Sequence, residues 1–300
     1  MTNKLRPLLA TEVKNLKDLK LPMLASVKLD GIYALIVDGV IYSRSFKPIK
    51  NKHVQKLFGN RDLNGLVGEL VCGDVYAEDV FRQTTTATMA EDGVNDVKLY
   101  VFDDWSVGDK PYQERYQHYQ SRIKALNHGS IIALEHNMLH TIDEVITALD
   151  KEQKRNGEGI ILRLPSAKWK NGRSTPKSQE SVKLKFFEQQ EYKIVDVVER
   201  MHNANEAKVN EMGYTERSSH KDNMIPMNTF GAFVMELQDG RNFNVGSGLG
   251  LTDAVRKEIW NNRDKYIGKI ATVRQMKVGS KNGIPRLPTF VGLRDKDDMS

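Results

Sequence analysis

The sequence predicts two folded parts, an α+β domain over residues 1–189 followed by an all-β domain over residues 190–300. Three observations lead there. Up to about residue 189, short apolar β-rich runs alternate with segments of helical periodicity. Beyond it the pattern changes to short strands interrupted by a single helical segment. With 300 residues, 39% of them hydrophobic and 28% charged, the chain can fill two medium-sized cores.

In order along the chain, residues 1–23 are polar with scattered leucines and two prolines, Pro7 and Pro22, and read as a lead-in strap. Residues 32–37 and 40–45 flank Asp38-Gly39, which between apolar β-rich runs predicts a hairpin, with Arg44 on its return strand. Asn51 can cap a short helix carrying Val54, Leu57 and Phe58. Residues 66–71 and 99–102 read as strands. Pro111 opens a helix in which Tyr112, Tyr116, Tyr119, Ile123 and Leu126 recur at spacings of three and four, a stripe that reads as core packing. Thr141 with Glu144 predicts a capping box, and Gly157 is placed to end the helix that follows. Residues 160–164 form a strand, residues 166–181 a polar, basic, exposed loop, and residues 181–187 a strand. After the boundary come strands at 192–198, 230–237, 243–246, 270–276 and 290–293, with a helix from Thr252 through Trp260. Five short strands and one helix suggest an OB-like barrel. The long polar stretch at about 200–229 stands out, because compact domains rarely carry such a segment idly.

Some residue types call for more than a structural reading. In Lys28-Leu29-Asp30-Gly31, the lysine sits between apolar neighbours and ahead of a hairpin. It is either a strand-edge lysine before a turn or a nucleophile, with Asp30 to orient the amine and Gly31 to admit a ligand close to the backbone. Glu69 falls mid-strand and is either outward-facing or a ligand. Alternation places Lys183 and Lys185 on one face, where they repel unless something anionic lies between them; a solvated face is the plainer alternative. The 45 Lys and Arg against 39 Asp and Glu, a net charge of +6, permit a polyanionic partner without requiring one. One cysteine, Cys72, excludes a disulfide framework and a multi-cysteine zinc finger. No apolar run approaches the roughly 18 residues of a membrane span, and the first twenty residues lack a signal-peptide apolar core, so a cytoplasmic setting is expected.

Taken in sequence, KLDG, SR, GEL, YVFD, EGIILR, WKNGRST, VKLK and a closing GIPRLPTFVGLR make a specific series. It resembles the ATP-dependent DNA ligases, above all the small two-domain kind of bacteriophages and chloroviruses, over nearly the whole chain. The resemblance implies a nucleotidyltransferase domain with an ATP-grasp-like ligase core, followed by an OB-fold domain. It implies ATP and Mg²⁺ (Mn²⁺ as a substitute), nicked duplex DNA as substrate, a monomer and, for a viral enzyme, the host cytoplasm. Lys28 looks like the lysine that attacks the α-phosphate of ATP, with Asp30 orienting the ligand. Glu69 and Glu158 resemble the carboxylates that support ribose and metal contacts. Phe102 would stack on adenine. Lys183 and Lys185 match the paired lysines on the phosphates, and Arg286 and Arg294 the motif that closes over pyrophosphate. Arg44, Lys170 and Arg173 would engage the nick, and residues 200–229 would clasp the duplex as a latch.

Two positions depart from the family pattern. Tyr33 stands where an arginine is usual, and Val67 where the Asp of Asp-Gly-Glu is usual. These put in doubt how the ribose or nick terminus is held and what supports Glu69. An RNA ligase or an mRNA guanylyltransferase shares the lysine motif and remains the enzymatic alternative. A non-catalytic OB-type nucleic-acid binder is the alternative of another class.

Overall fold

The computed structural model describes residues 5–281 and 283–294. The chain forms two compact units that divide between Phe186 and Phe187.

The first unit is built on two sheets. A five-stranded sheet runs in the order Val40–Ser43, Ile32–Val37, Leu66–Cys72, Val97–Asp104, Ile131–Ala133; only the last pair is parallel. Its first hairpin turns at Asp38 and Gly39, both at positive φ (+50° and +79°), which suits the twist of two-residue turns. One sheet face carries Ala34, Ile36, Leu70, Leu99 and Val101 against Val54 and Phe58 of helix Lys52–Phe58 and Tyr119 and Ile123 of helix Tyr112–Leu126. The helix caps are local, as the sequence leads one to expect. Asn51 Oδ1 accepts from the Val54 N–H at 2.9 Å. The tyrosine stripe is core, and it also encloses an imidazole: Tyr112 Oη lies 3.0 Å from His136 Nε2 and Tyr119 Oη 3.3 Å from Nδ1. Burial, with Arg163 nearby, takes the His136 pKa down to about 3, so this histidine is a neutral packing group.

The second sheet is antiparallel, in the order Ser181–Lys185, Gly159–Arg163, Met23–Val27, Asn137–Leu139. Helix Ile142–Lys154 covers one face of it through Val145, Ala148 and Leu149. The predicted capping box is shifted: Thr141 Oγ1 accepts from the Glu144 N–H at 3.2 Å, but the Glu144 carboxylate reaches the N–H of His140, one residue earlier than the usual pattern. The helix stops before Gly157. Asn156 takes the left-handed conformation (φ +60°), and the Gly157 N–H returns to the Glu152 carbonyl at 2.9 Å.

The lead-in strap is structural. Leu8–Leu9 pairs in parallel with Gly172–Arg173, and Thr11 bridges to Val182. The stretch expected to be an exposed loop is therefore tied down. Ser174 and Gln179 are buried, and the Gln179 carboxamide accepts from the Lys20 N–H and donates to the Asp18 and Pro176 carbonyls.

The second unit is a five-stranded antiparallel sheet in the order Asn242–Val245, Met224–Glu236, Phe187–Asn203, Ile270–Lys281, Ile284–Leu293. A parallel bridge between Gly248 and Phe290 brings the two ends of that order together, so the sheet rolls into a barrel. Helix Asp253–Asn261, capped by Thr252 Oγ1, adds Ile259 to a core of Phe230, Phe233, Val245 and Val273. The strands are longer than the apolar pattern alone indicates. Phe187–Asn203 and Met224–Glu236 still pair at Asn203 and Met224. Between them a small hairpin, Ala207–Val209 with Thr215–Arg217, stands with every strand residue exposed. Asn205 pins it by donating to the Ser218 and His220 carbonyls. The 200–229 stretch is thus a β ribbon.

Candidate active site

Strand Met23–Val27 delivers Lys28 to a cleft of about 880 Å³, open mouth included, within the first unit. Two glycines let the chain run there. At Gly31 a Cβ would sit 2.1 Å from the Leu70 carbonyl oxygen, so the motif glycine is required by the neighbouring strand itself. At Gly159, with φ +143°, a Cβ would meet the Leu184 carbonyl oxygen as closely. The Lys28 N–H donates to the Gly159 carbonyl at 2.9 Å, which fixes the lysine beside Glu158.

The cleft is lined by Lys28, Arg44, Glu69, Phe102, Arg173, Lys183 and Lys185, seven residues singled out in the sequence. Glu158 joins them from beneath. Its side chain is 2% exposed; Lys28 Nζ contacts Oε2, and Lys185 Nζ contacts Oε1 at 2.7 Å. Burial pushes the Glu158 carboxyl up, but the two lysines more than offset it and hold the pKa below the usual range. The Lys185 pKa is lowered, chiefly by burial, with Glu158 opposing and Lys28 adding to the shift. Lys183 has a different partner, Glu12 of the strap, at 3.2 Å. The paired lysines are thus neutralised one by one, by carboxylates from distant parts of the chain.

Among the described residues, no lysine or arginine forms an ion pair with Glu69, the acid on the cleft wall. Burial pushes its pKa up to about 8 against the pull of Lys28, and Glu158 and Asp30 push the same way. Across the strands Glu69 stands opposite Tyr33. Phe102 carries the Arg163 guanidinium 4.7 Å from its ring centroid. Arg163 in turn reaches Asp103, which also binds Arg115 through Nε at 2.7 Å and Nη2 at 3.1 Å. Cys72 is half-buried in the core, its thiol pushed up by burial, away from any reactive role.

Two family models match this chain, an ATP dependent DNA ligase domain over residues 7–185 and a DNA ligase OB-like domain over residues 226–294. The chain belongs to the ATP-dependent DNA ligases. The crystal structure of the Chlorella virus DNA ligase-adenylate is similar at 28% identity, covering 98% of this chain and 99% of the other, with a TM-score of 0.55. A Lig E DNA ligase, at 20% identity over 98% and 100% of the two chains, shares the fold with a TM-score of 0.71. A comparison with curated proteins finds no match. Both family models are those of DNA ligases, so neither the RNA ligase, the guanylyltransferase nor the non-catalytic binder is favoured.

Not every predicted residue of the ligase reaches the cleft wall. Lys170 pairs with Glu180 at 3.3 Å outside it, and Asp30 lies near Glu69 without lining the space. Arg286 and Arg294 belong to the second unit, on and just after strand Ile284–Leu293, where Arg294 Nε contacts Glu191. Several lining residues went unremarked in the sequence: Leu8, Leu9 and Ala10 of the strap, Ser26, Leu134, Ile161 and Arg163. Period-two alternation through EGIILR does put Ile161 and Arg163 on one face, a usable signal. Nothing local marks the strap residues. Among the described residues no group of three acidic, histidine or cysteine side chains could hold a metal ion unaided, and no helix is long and apolar enough to cross a membrane.

Proposed function

We propose that Lys28 is the residue that carries AMP in this ligase. The observation that carries the reading is the meeting of Lys28 and Lys185 on the buried Glu158 carboxylate, in a cleft that also holds Glu69, Phe102 and Lys183. In the first step Lys28 Nζ attacks the α-phosphorus of ATP. The P–N bond forms, the bond to the bridging oxygen breaks, and pyrophosphate leaves with the electron pair. AMP then passes to a 5′-phosphate oxygen of the nick. Attack by the 3′-hydroxyl closes the phosphodiester and releases AMP.

Each step displaces a group at phosphorus, so charge on the non-bridging oxygens has to be met by cations. Lys183 and Lys185 are among the cleft's cations; Lys183 is held by an exposed carboxylate that a phosphate group can replace, and Lys185 is anchored on the buried Glu158. Asp30 orients the nucleotide, and Phe102 offers its ring to the adenine face. Glu69 and Glu158 are the residues that would hold Mg²⁺ or Mn²⁺. Glu69 fits by its chemistry, as a hard oxygen donor on the wall of the cleft. Two carboxylates are few for a complete shell, and Mg²⁺ commonly completes it with substrate phosphates and water. The metal would supply additional charge neutralisation at phosphate oxygens.

Arg44, Lys170 and Arg173 are proposed contacts to the nick, and Arg286 and Arg294 contacts to the pyrophosphate. We assign residues 1–189 to adenylation and 190–300 to the OB part, with the 200–229 ribbon as a latch on duplex DNA. That ribbon is rich in exposed polar groups, with Arg200, Lys208, Arg217 and Lys221 available to phosphates. One polypeptide acting as a monomer in a reducing cytoplasm suits this chemistry.

The test is to incubate the protein with α-labelled ATP and Mg²⁺. Label should become bound to protein, leave as ATP on adding pyrophosphate, and leave as AMP on adding nicked duplex. Protein that takes no label, or whose label nicked DNA does not discharge, refutes the reading. The latch has its own test: nicked duplex should shield residues 200–229 from protease, and unchanged cleavage would remove it.

A further inference from the structure

Arg163 is buried, and a buried cation needs a reason, because taking it out of water is costly. Asp103 supplies only part of one. Arg115 already holds that carboxylate with two bonds, at 2.7 and 3.1 Å, whereas Arg163 reaches it through Nη1 alone at 3.4 Å. Arg163 Nε is enclosed and, among the described residues, has no hydrogen-bond partner. Buried polar groups are normally paired, so the side chain is held there by something else. Two aromatic rings flank it: the guanidinium carbon lies 4.7 Å from the Phe102 centroid and 5.0 Å from that of Tyr112. A cation is drawn to a ring face, and most strongly where water is absent.

The contact with Phe102 joins the two sheets of the first unit. Phe102 belongs to strand Val97–Asp104 of the five-stranded sheet. Lys28 follows strand Met23–Val27 of the four-stranded sheet, which pairs with strand Gly159–Arg163 from Leu24 opposite Arg163 to Val27 opposite Ile160. Arg163 therefore shares a backbone ladder with the lysine and a side-chain contact with the ring. The Phe102 backbone is fixed separately, by Tyr112 Oη donating to its carbonyl at 2.7 Å. On the reading above, on which this step rests, the base lies on Phe102 and the α-phosphorus at Lys28. The separation of those two points is set from one sheet to the other, and Arg163 spans them behind the ring. We propose that Arg163 is a positioning residue for self-adenylation: it holds the Phe102 ring in register with Lys28, so that a base stacked on the ring brings the α-phosphorus to Nζ.

Misplacing reacting atoms by about 1 Å can cost roughly 100-fold in rate. The experiment measures the single-turnover rate of self-adenylation at saturating ATP in the full chain, with thermal midpoints taken alongside. Arg163→Met should slow the step by about tenfold to 100-fold. Phe102→Leu should slow it as well, and the double variant should be no slower than Phe102→Leu by more than about twofold, because Arg163 acts through the ring. A merely structural role would lower the rate by the same factor in both backgrounds. Arg163→Lys covers the case in which Arg163→Met fails to fold. It keeps a charge beside Asp103 without the planar group, so it should fold and still show most of the rate loss. Arg163 variants that adenylate as fast as the parent, or losses that multiply with Phe102→Leu, overturn the proposal. Failure of the underlying reading looks different: Phe102→Leu would then adenylate at the parent's rate, or the parent itself would take no label, and the Arg163 assignment would go with it.

Discussion

Two buried carboxylates in the first unit each hold two cations, and they do opposite jobs. Asp103 is fully buried between Arg115, itself 1% exposed, and Arg163. Glu158 is held between Lys28 and Lys185, whose side chains are 18% and 12% exposed. The difference lies in the cation. A guanidinium stays protonated and binds through a planar fork, so Arg115 and Arg163 tie the end of strand Val97–Asp104 to helix Tyr112–Leu126 and strand Gly159–Arg163. An ammonium is compact, can lose its proton, and can become a nucleophile. The first arrangement is a clamp and the second a reaction centre that opens on the cleft.

The largest expected effect tests that distinction directly. Lys28→Ala should abolish self-adenylation and nick sealing while leaving binding of nicked DNA in place, because other cations meet the phosphates. Lys28→Arg keeps the charge beside Glu158 and should be as inactive, since a guanidinium is no nucleophile at working pH. Adenylation retained by either variant would break the comparison. Asp103→Ala comes next and should act on stability. It strands two buried guanidinium groups, and breaking such a pairing costs about 3–5 kcal/mol. Chemical denaturation should show that loss, and an undiminished midpoint would mean that Asp103 is no clamp.

How far this was legible in the sequence follows from distance along the chain. The turn at Asp38-Gly39 and the caps at Asn51 and Thr252 are local, and each appears where short-range chemistry puts it. Lys183 and Lys185 were readable as a pair wanting anions by strand alternation alone. The identity of those anions was not. Glu158 meets Lys28 across 130 residues, and Glu12 lies in a strap with no periodicity to mark it. The Asp103 clamp was hidden for the same reason, its arginines lying 12 and 60 residues away. The loop at 166–181 misled because its polar composition matched exposure, while Gln179 and Ser174 satisfy the backbone of the strap and of the next strand from buried positions.

Glu69 sharpens the comparison as a carboxyl that forms no ion pair among the described residues. Its pKa is about 8 in the folded chain against an ordinary value of 4.5. The folded state therefore keeps a proton that the unfolded state releases, and stability falls as pH rises from the ordinary value towards 8. Glu69→Gln cannot ionise. It should unfold at the parent's temperature near pH 4, and at a higher temperature than the parent at pH 9. Thermal scans of the nucleotide-free protein across that range read the difference. A gap that is equal at both ends would mean that Glu69 already has a neutralising partner.

The smallest effect is expected at Glu12, the carboxylate that meets Lys183 at 3.2 Å. Its side chain is 55% exposed, so water and salt screen the pair, and its contribution to stability should be under about 1 kcal/mol. The contrast with Glu158 is one of burial at nearly the same distance from a lysine. Glu158 is fixed by burial and stays with its lysines, whereas Glu12 is exposed, lies outside any strand just after the Thr11 bridge, and can yield to a phosphate. Glu12→Gln should therefore leave the thermal midpoint almost unchanged and lower the KM for ATP by no more than about threefold, because Lys183 no longer exchanges one anion for another. The gain should disappear at high ionic strength, where the exposed pair is already screened in the parent. A KM that rises in Glu12→Gln would reverse the assignment: Glu12 would then be the group that aims Lys183 at the phosphates, and the strap would belong to the working machinery of the cleft as firmly as Glu158 does.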